Sequence, residues 1–182
     1  MTKLKLSILT ITTFILSSII LISCSENDDV NYTNELKTSG TLIFDKGNNK
    51  FSLKSNKNKL ENTSEHTAEL SFISENPIPE FDTNEGLENY LKTNSSNING
   101  TILLKIDEEI VYESIIVNGE KMNSTENDKL YLKKEYPCNY EGIRQCTRDR
   151  IDDLNWFDTT LCIIEGFACV ANNFVSCGVD NC

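Results

Sequence analysis

Six of the seven cysteines crowd into the last 45 residues of this 182-residue chain. Structural zinc sites favour close Cys-x₂₋₄-Cys pairs completed by His or further Cys, but the single histidine, His66, lies far away. In an exported chain, an even number of cysteines favours three disulfides over a metal site. The six are Cys138, Cys146, Cys162, Cys169, Cys177 and Cys182, with 7, 15, 6, 7 and 4 residues between successive members.

The start of the chain has the order of a secretory leader. Lys3 and Lys5 supply a basic beginning, residues 6–22 form an apolar run, and the small residue Ser23 precedes the seventh cysteine, Cys24. The alternative is a membrane-spanning helix. The run has 17 residues, six of them Ser or Thr, against the roughly 20 apolar residues that usually cross a bilayer. Length alone leaves both interpretations open.

Leu21-Ile22-Ser23-Cys24 resembles the lipobox of bacterial lipoproteins, where the signal peptide is cut and the new N-terminal cysteine is lipidated. This resemblance favours the cleaved leader. It implies a signal peptide over residues 1–23 and a diacylglycerol on the thiol of Cys24, with its amine often acylated too. Two or more chains anchor a protein stably, because each buried methylene contributes about 0.8 kcal/mol. Apart from this covalent lipid, no cofactor is expected.

The acidic run at residues 25–29 (Ser-Glu-Asn-Asp-Asp) resembles the export signal of surface lipoproteins in Bacteroidota. It implies an outer-membrane lipoprotein exposed at the cell surface. The alternative is a plain hydrophilic tether on a protein that faces the periplasm. Residues 24–37 are predicted to be an acidic, flexible tether, because residues 30–37 lack apolar periodicity.

The charge balance limits the partners. The chain has 17 Lys+Arg against 28 Asp+Glu, a formal net charge of −11. A nucleic-acid binder should show a basic stripe, and this sequence has none, so no nucleic acid is expected. An anionic lipid surface would repel the body as well, which leaves the lipid anchor as the expected membrane contact. Acidity of this size keeps a surface protein soluble without requiring a partner.

Residues 38–135 have the pattern of a β-rich domain. Residues 76–79 (Asn-Pro-Ile-Pro) are expected to end any regular element, and Asp82 or Thr83 can cap a helix over residues 84–92. Without regular βαβ alternation, the sheet should be antiparallel, with the helix on one face. Strands are predicted over residues 40–44, 50–54, 67–74, 101–106, 110–117 and 130–132, with turns at 45–49, 107–109 and Asn118-Gly119.

Helical spacing replaces strand alternation in residues 136–182. One helix is predicted over residues 139–154 and a second, buried one over residues 159–175, capped by Asp158. The expected fold is therefore α+β: a small antiparallel β-sheet with one short helix, followed by a disulfide-stapled α-helical hairpin. An antiparallel hairpin suits one nested pairing among fifteen connectivities: Cys146 with Cys162, Cys138 with Cys169, and Cys177 with Cys182.

Catalytic motifs are missing from the sequence. Gly-x-Ser-x-Gly, His-Glu-x-x-His, the P-loop and Cys-x-x-Cys do not occur. His66 is the one candidate base for a hydrolytic triad, and its polar surroundings predict an exposed loop residue. We therefore expect no catalytic residue and no enzymatic activity. Trp156 and Phe157, at the predicted hairpin apex, are a candidate contact pair, although apex aromatics usually pack against the core.

Three functions remain from these observations. The first is a non-enzymatic surface lipoprotein that acts as an interaction or accessory module for an extracellular protein or glycan. The second is a carrier of a toxin-like, antimicrobial or inhibitor-like C-terminal module. Against a membrane-lytic version, residues 136–182 hold three Arg and seven acids, whereas membrane-active helices are rich in Lys and Arg. The third is an envelope hydrolase, which lacks a motif.

Overall fold

The structure is a computed structural model, and it describes residues 30–53, 62–122 and 135–182. The lipobox with Ser23 and Cys24, and the strand predicted over residues 130–132, lie outside these ranges. Tyr32 to Cys182 belong to one compact unit. The β-rich segment and the Cys-rich segment were predicted as two domains that meet at residues 135 and 136, but they share one core.

One antiparallel sheet organises the described residues, in the strand order β2-β1-β3-β4-β5-β6. This confirms the predicted antiparallel sheet within an α+β fold. The sixth strand of the described sheet directly follows the Asn118-Gly119 turn, where only the turn was predicted. The strands are β1 (Tyr32–Asp45), β2 (Lys50–Leu53), β3 (Thr63–Pro79), β4 (Gly100–Ile106), β5 (Glu109–Val117) and β6 (Glu120–Met122).

Two predicted boundaries around β1 and β3 are wrong. Residues 32–37 were assigned to a flexible tether, but β1 pairs with β3 from Tyr32 opposite Pro79 to Asp45 opposite Thr63. Strand β3 also continues through residues 76–79, which were expected to stop it. Proline has no N–H to donate to a neighbouring strand. It is tolerated there because β4 pairs with β3 only as far as Ser74, which leaves one side of residues 76–79 without a paired strand.

Two tight turns position the strands around β5. Asp107 and Glu108 join β4 to β5 with φ of 51° and 68°, and Asn118 and Gly119 join β5 to β6 with φ of 53° and 72°. Two successive residues with positive φ are typical of two-residue hairpin turns, whose twist matches that of the strands. Both turns were predicted from the sequence.

Four α-helices complete the described fold: α1 (Asn84–Thr93), α2 (Tyr140–Asp153), α3 (Trp156–Ile164) and α4 (Phe167–Asn181). Thr83, one of the two predicted caps, is the residue that caps α1, and its hydroxyl accepts from the Gly86 N–H at 3.2 Å. Asn155, rather than the predicted Asp158, caps α3, because its side-chain oxygen accepts from the Asp158 N–H at 2.8 Å.

The predicted second helix of the hairpin is divided in two. Gly166, at φ 92°, lies between α3 and α4, and the two helices are bent by 113°. Gly166 is extended at positive φ, with ψ −178°, a conformation that essentially only glycine adopts, and this ends α3. The Cys-rich segment therefore contains three helices instead of a two-helix hairpin.

The disulfides confirm the use of all six cysteines and overturn all three predicted pairings. The bonds are Cys138–Cys182, Cys146–Cys177 and Cys162–Cys169. Because α4 turns back along α2, the end of the chain returns to the beginning of α2, and the third bond spans the α3–α4 break. The paired Cα atoms lie 5.1, 5.9 and 5.4 Å apart, within the usual range.

The core lies between one face of the sheet and helices α2, α3 and α4. Helix α4 contacts β2 and β1, and α3 contacts β1 and β3. Every second side chain of a strand points into this layer and is buried there, while the side chains between them point to the opposite face of the sheet. The fully buried side chains include Leu42, Leu70, Phe72, Ile102, Leu104, Ile116, Ile143, Ile151 and Phe174.

Candidate functional site

His66 lies in β3 with its ring packed against other side chains. It was predicted to be an exposed loop residue, but its side chain is only 17% exposed. Its Nδ1 is 2.6 Å from Oδ2 of Asp107, and its Nε2 is 2.8 Å from Oγ of Ser64. We call Ser64, His66, Asp107 and Tyr140 the His66 cluster.

Asp107 is the hub of the cluster. Its Oδ1 accepts from the Thr67 N–H at 2.9 Å, while the Tyr140 hydroxyl donates to Oδ2 at 3.0 Å. Partial burial alone raises the pKa of this carboxyl, but the hydrogen bonds from His66, Thr67 and Tyr140 outweigh it and hold the pKa below its usual value. Asp107 is therefore a carboxylate at neutral pH, and Nδ1 of His66 carries the proton in their hydrogen bond.

Tyr140 closes the cluster from the helical side. As the first residue of α2, it stacks on His66 with ring centroids 4.4 Å apart and planes inclined by 26°. Burial, followed by the hydrogen bond to Asp107, raises the pKa of its hydroxyl, so it stays a donor. Phe44 and Phe51 meet the imidazole edge-on, with centroids 6.4 and 6.0 Å away.

The connectivity of the cluster matches that of a hydrolytic triad. Nδ1 of His66 faces a carboxylate and Nε2 faces a serine hydroxyl, which is the arrangement that lets imidazole accept a proton from serine. Sequence reasoning missed Ser64, Asp107 and Tyr140. The available signal was the spacing of Ser64 and His66, since residues two apart on a strand share a face. Asp107 is 41 residues from His66, and no local pattern brings them together.

The face of the sheet that points away from the helices, here called the outer face, is the second candidate site. Near the β4–β5 turn it has a cavity of about 410 Å³. Lys105 there donates to Glu69 at 3.3 Å. The side chains that line it include Ser39, Thr41, Thr67, Glu69, Lys105 and Glu108.

The outer face also exposes apolar side chains nearer the β5–β6 turn. Ile73 is 42% exposed, Ile115 53% and Met122 56%. Since β3, β4, β5 and β6 are adjacent, these side chains lie close together on one surface. These side chains are far more exposed than Trp156 of the predicted aromatic pair, which is 6% exposed.

Trp156 is part of the core. It is only 6% exposed, and its ring lies 6.5 Å from Phe72 and 5.8 Å from Phe157, which is partly buried. Both residues belong to the first turn of α3. The two aromatic residues therefore pack against the core, which was the stated alternative to a contact site.

Among the described ranges, no group of three or more His, Cys, Asp or Glu side chains is arranged to hold a metal ion. In the same part of the chain, no single helix is long and apolar enough to cross a membrane, although α3 and α4 together pass by length and composition. Both helices of that pair contribute buried side chains to the core, among them Ile163 and Phe174.

Comparison with known proteins found no matching family model, no matching curated protein and no matching solved structure.

Proposed function

We propose that this protein is a membrane-anchored lipoprotein of the bacterial cell envelope that binds a partner through the outer face of its sheet. Three sequence features support the anchor: the leader, the lipobox resemblance at Cys24 and the acidic run that follows it. The acidic run favours exposure at the cell surface. The partner is an extracellular macromolecule rather than a nucleic acid, given the net charge of −11.

The main support for a binding role is the set of exposed apolar residues on the outer face. Helices and disulfides occupy the other side of the sheet, while Ile73, Ile115 and Met122 remain exposed on this one. Contiguous exposed apolar residues mark interaction sites on soluble domains. The shared core also argues against the carrier function, because releasing residues 136–182 would expose the residues that α3 and α4 cover.

Site-specific photo-crosslinking in the native bacterium tests this function. A crosslinking residue at Ile115 should form a discrete adduct, whereas one at Val179, which is exposed on α4, should not. Cys24→Ala should abolish incorporation of a labelled fatty acid and leave the leader uncleaved, which intact mass detects. Equal crosslinking from both positions, or fatty-acid labelling of Cys24→Ala, would refute the respective half of the proposal.

The His66 cluster supports a second candidate, hydrolysis of an ester, which competes with the expectation of no enzymatic activity. Oγ of Ser64 would attack the ester carbonyl while its proton passes to Nε2 of His66. That proton would then go to the leaving alcohol, and water would hydrolyse the acyl-serine by the same route in reverse. Asp107 would orient the imidazole and stabilise its charge.

A fluorophosphonate probe and p-nitrophenyl acetate test this candidate. Labelling and turnover should disappear in Ser64→Ala and in His66→Ala. Ser39→Ala, which removes an exposed hydroxyl from the outer face, is the matched control and should keep both. A protein that labels equally well without Ser64, or a wild type that does not label, leaves the cluster with a purely structural role.

A further inference from the structure

Exposed and partly buried apolar residues of the outer face lie on neighbouring strands around Thr101. Ile73 pairs with Thr101, Thr101 with Ile115, and Ile115 with Met122 in successive strands. Three strand spacings of about 4.8 Å make this row about 14 Å wide. Leu103 and Val117 lie two residues along β4 and β5 on the same face. We define the outer patch as Ile73, Leu103, Ile115, Val117 and Met122.

Carboxylates border the outer patch on several sides. Glu35 pairs with Ile73 from β1, Glu113 pairs with Leu103, and Glu120 pairs with Val117. Glu75 lies two residues beyond Ile73 on the same face of β3. We call these four exposed residues the acidic rim: Glu35, Glu75, Glu113 and Glu120.

The charge of the acidic rim is not neutralised within the described part of the chain. None of its members takes part in an ion pair there. Two basic side chains lie at the border among the described residues. Lys37 is opposite Ser71 in the row that contains Leu103 and Glu113, and Lys105, two residues beyond Leu103 on the same face of β4, pairs with Glu69. The patch therefore combines an apolar centre with a negative edge.

We propose that the outer patch binds a cationic, amphipathic segment of another polypeptide, with apolar side chains on Ile73, Ile115 and Met122 and Lys or Arg against the acidic rim. This inference rests on the proposed binding function and names the chemistry of the partner. Complementary potentials speed encounter and exclude wrong partners, while burial of the apolar centre supplies the main favourable free energy.

Two other occupants fit the charge less well. A second copy of this chain would bring acidic rim against acidic rim, since a two-fold interface places the same surface on both sides. An anionic lipid surface would be repelled by the same carboxylates. A cationic, amphipathic polypeptide is the occupant that matches both the apolar outer patch and the acidic rim.

Binding of defined peptides to the mature chain, purified in non-ionic detergent, tests the proposal. The probe is a peptide that alternates Lys with Leu or Val, and the matched control peptide carries Glu in place of Lys. Calorimetry should detect binding of the first and not of the second. Raising the ionic strength should weaken binding, because exposed charges are screened.

Variants separate the two halves of the surface. Glu113→Gln with Glu120→Gln should weaken binding about fivefold, as expected for two exposed ion pairs. Ile115→Thr with Met122→Thr should weaken it about tenfold through lost apolar burial. Glu85→Gln with Glu165→Gln removes two exposed acids on the helical side and should leave the affinity unchanged.

Several results would overturn the inference: no binding of the cationic peptide, equal binding of the anionic one, or equal losses in the Glu85 and Glu165 control. A dimer in sedimentation analysis that Ile115→Thr dissolves would assign the patch to a second copy, and flotation with anionic vesicles would assign it to lipid. If the Ile115 crosslink forms in cells while the cationic peptide fails to bind, the binding function stands and the partner chemistry is wrong.

Discussion

The ring of Tyr140 lies nearly flat on the imidazole of His66, and its hydroxyl donates to Asp107, the carboxylate that His66 also binds. His66 is in β3, Asp107 is in the β4–β5 turn, and Tyr140 begins α2. Three parts of the chain that are distant in sequence therefore meet in one hydrogen-bonded cluster. Arg144, one turn further along α2, adds an ion pair to Glu109 at 2.6 Å beside the same turn.

Asp107→Asn should make the free energy of unfolding vary less with pH in the acidic range. The folded-state pKa of Asp107 is lowered, so its stabilisation is complete above the unfolded value near 3.9 and is lost as pH falls through the folded value. Near pH 6 the variant should be about 1 kcal/mol less stable, and below about pH 4 the difference should shrink. Urea titrations followed by fluorescence of Trp156, the single tryptophan, measure this. An equal difference at every pH would contradict it.

Tyr140→Phe and Tyr140→Ala should separate the two contributions of Tyr140. The phenylalanine variant keeps the stack on His66 and loses one hydrogen bond to a charged group, at a cost of about 1.5 kcal/mol. The alanine variant also loses the packing against His66, Phe44 and Phe51, and should cost about 3 kcal/mol. Equal losses of unfolding free energy would mean that the stack contributes nothing.

The three disulfides should differ in their effect on stability. They close loops with sequence separations of 44, 31 and 7 for Cys138–Cys182, Cys146–Cys177 and Cys162–Cys169. Loop entropy then predicts stabilisation of about 4, about 3.7 and about 2.4 kcal/mol. Paired Cys→Ala variants, compared by urea unfolding, should follow this order. A larger loss from the Cys162–Cys169 pair would contradict the loop-entropy account, and peptide mapping without reduction checks the connectivity itself.

Gly40→Ala should destabilise the contact between β1 and α4. A Cβ at Gly40 would overlap the ring of Phe167, so the ring must move, at a cost of about 1–3 kcal/mol. In Phe167→Ala the same glycine change should cost much less, and a double-mutant cycle measures that difference. The matched control is Gly178→Ala, where the nearest atoms are 3.7 Å away and the gain in helix propensity should stabilise α4 slightly.

Local patterns predicted the features that depend on neighbouring residues. Asp107-Glu108 and Asn118-Gly119 were placed at turns, Asp82 or Thr83 at a helix start, and residues 67–74 in a strand, which is part of β3. The ending of α3 at Gly166 was also readable, because glycine commonly follows the last turn of a helix. That signal was outweighed by the apolar residues that continue on both sides of it.

The sequence by itself determined the class of the fold, the participation of all six cysteines in disulfides and the net negative charge, because composition and local periodicity are enough for each. Only the tertiary structure decided the disulfide pairing, the pairing of residues 32–37 with β3 and the His66 cluster. Cys138 meets Cys182 and His66 meets Asp107 across separations of 44 and 41 residues. Such contacts depend on how α4 folds back along α2 and how β4 aligns with β3, which no window of neighbouring residues encodes.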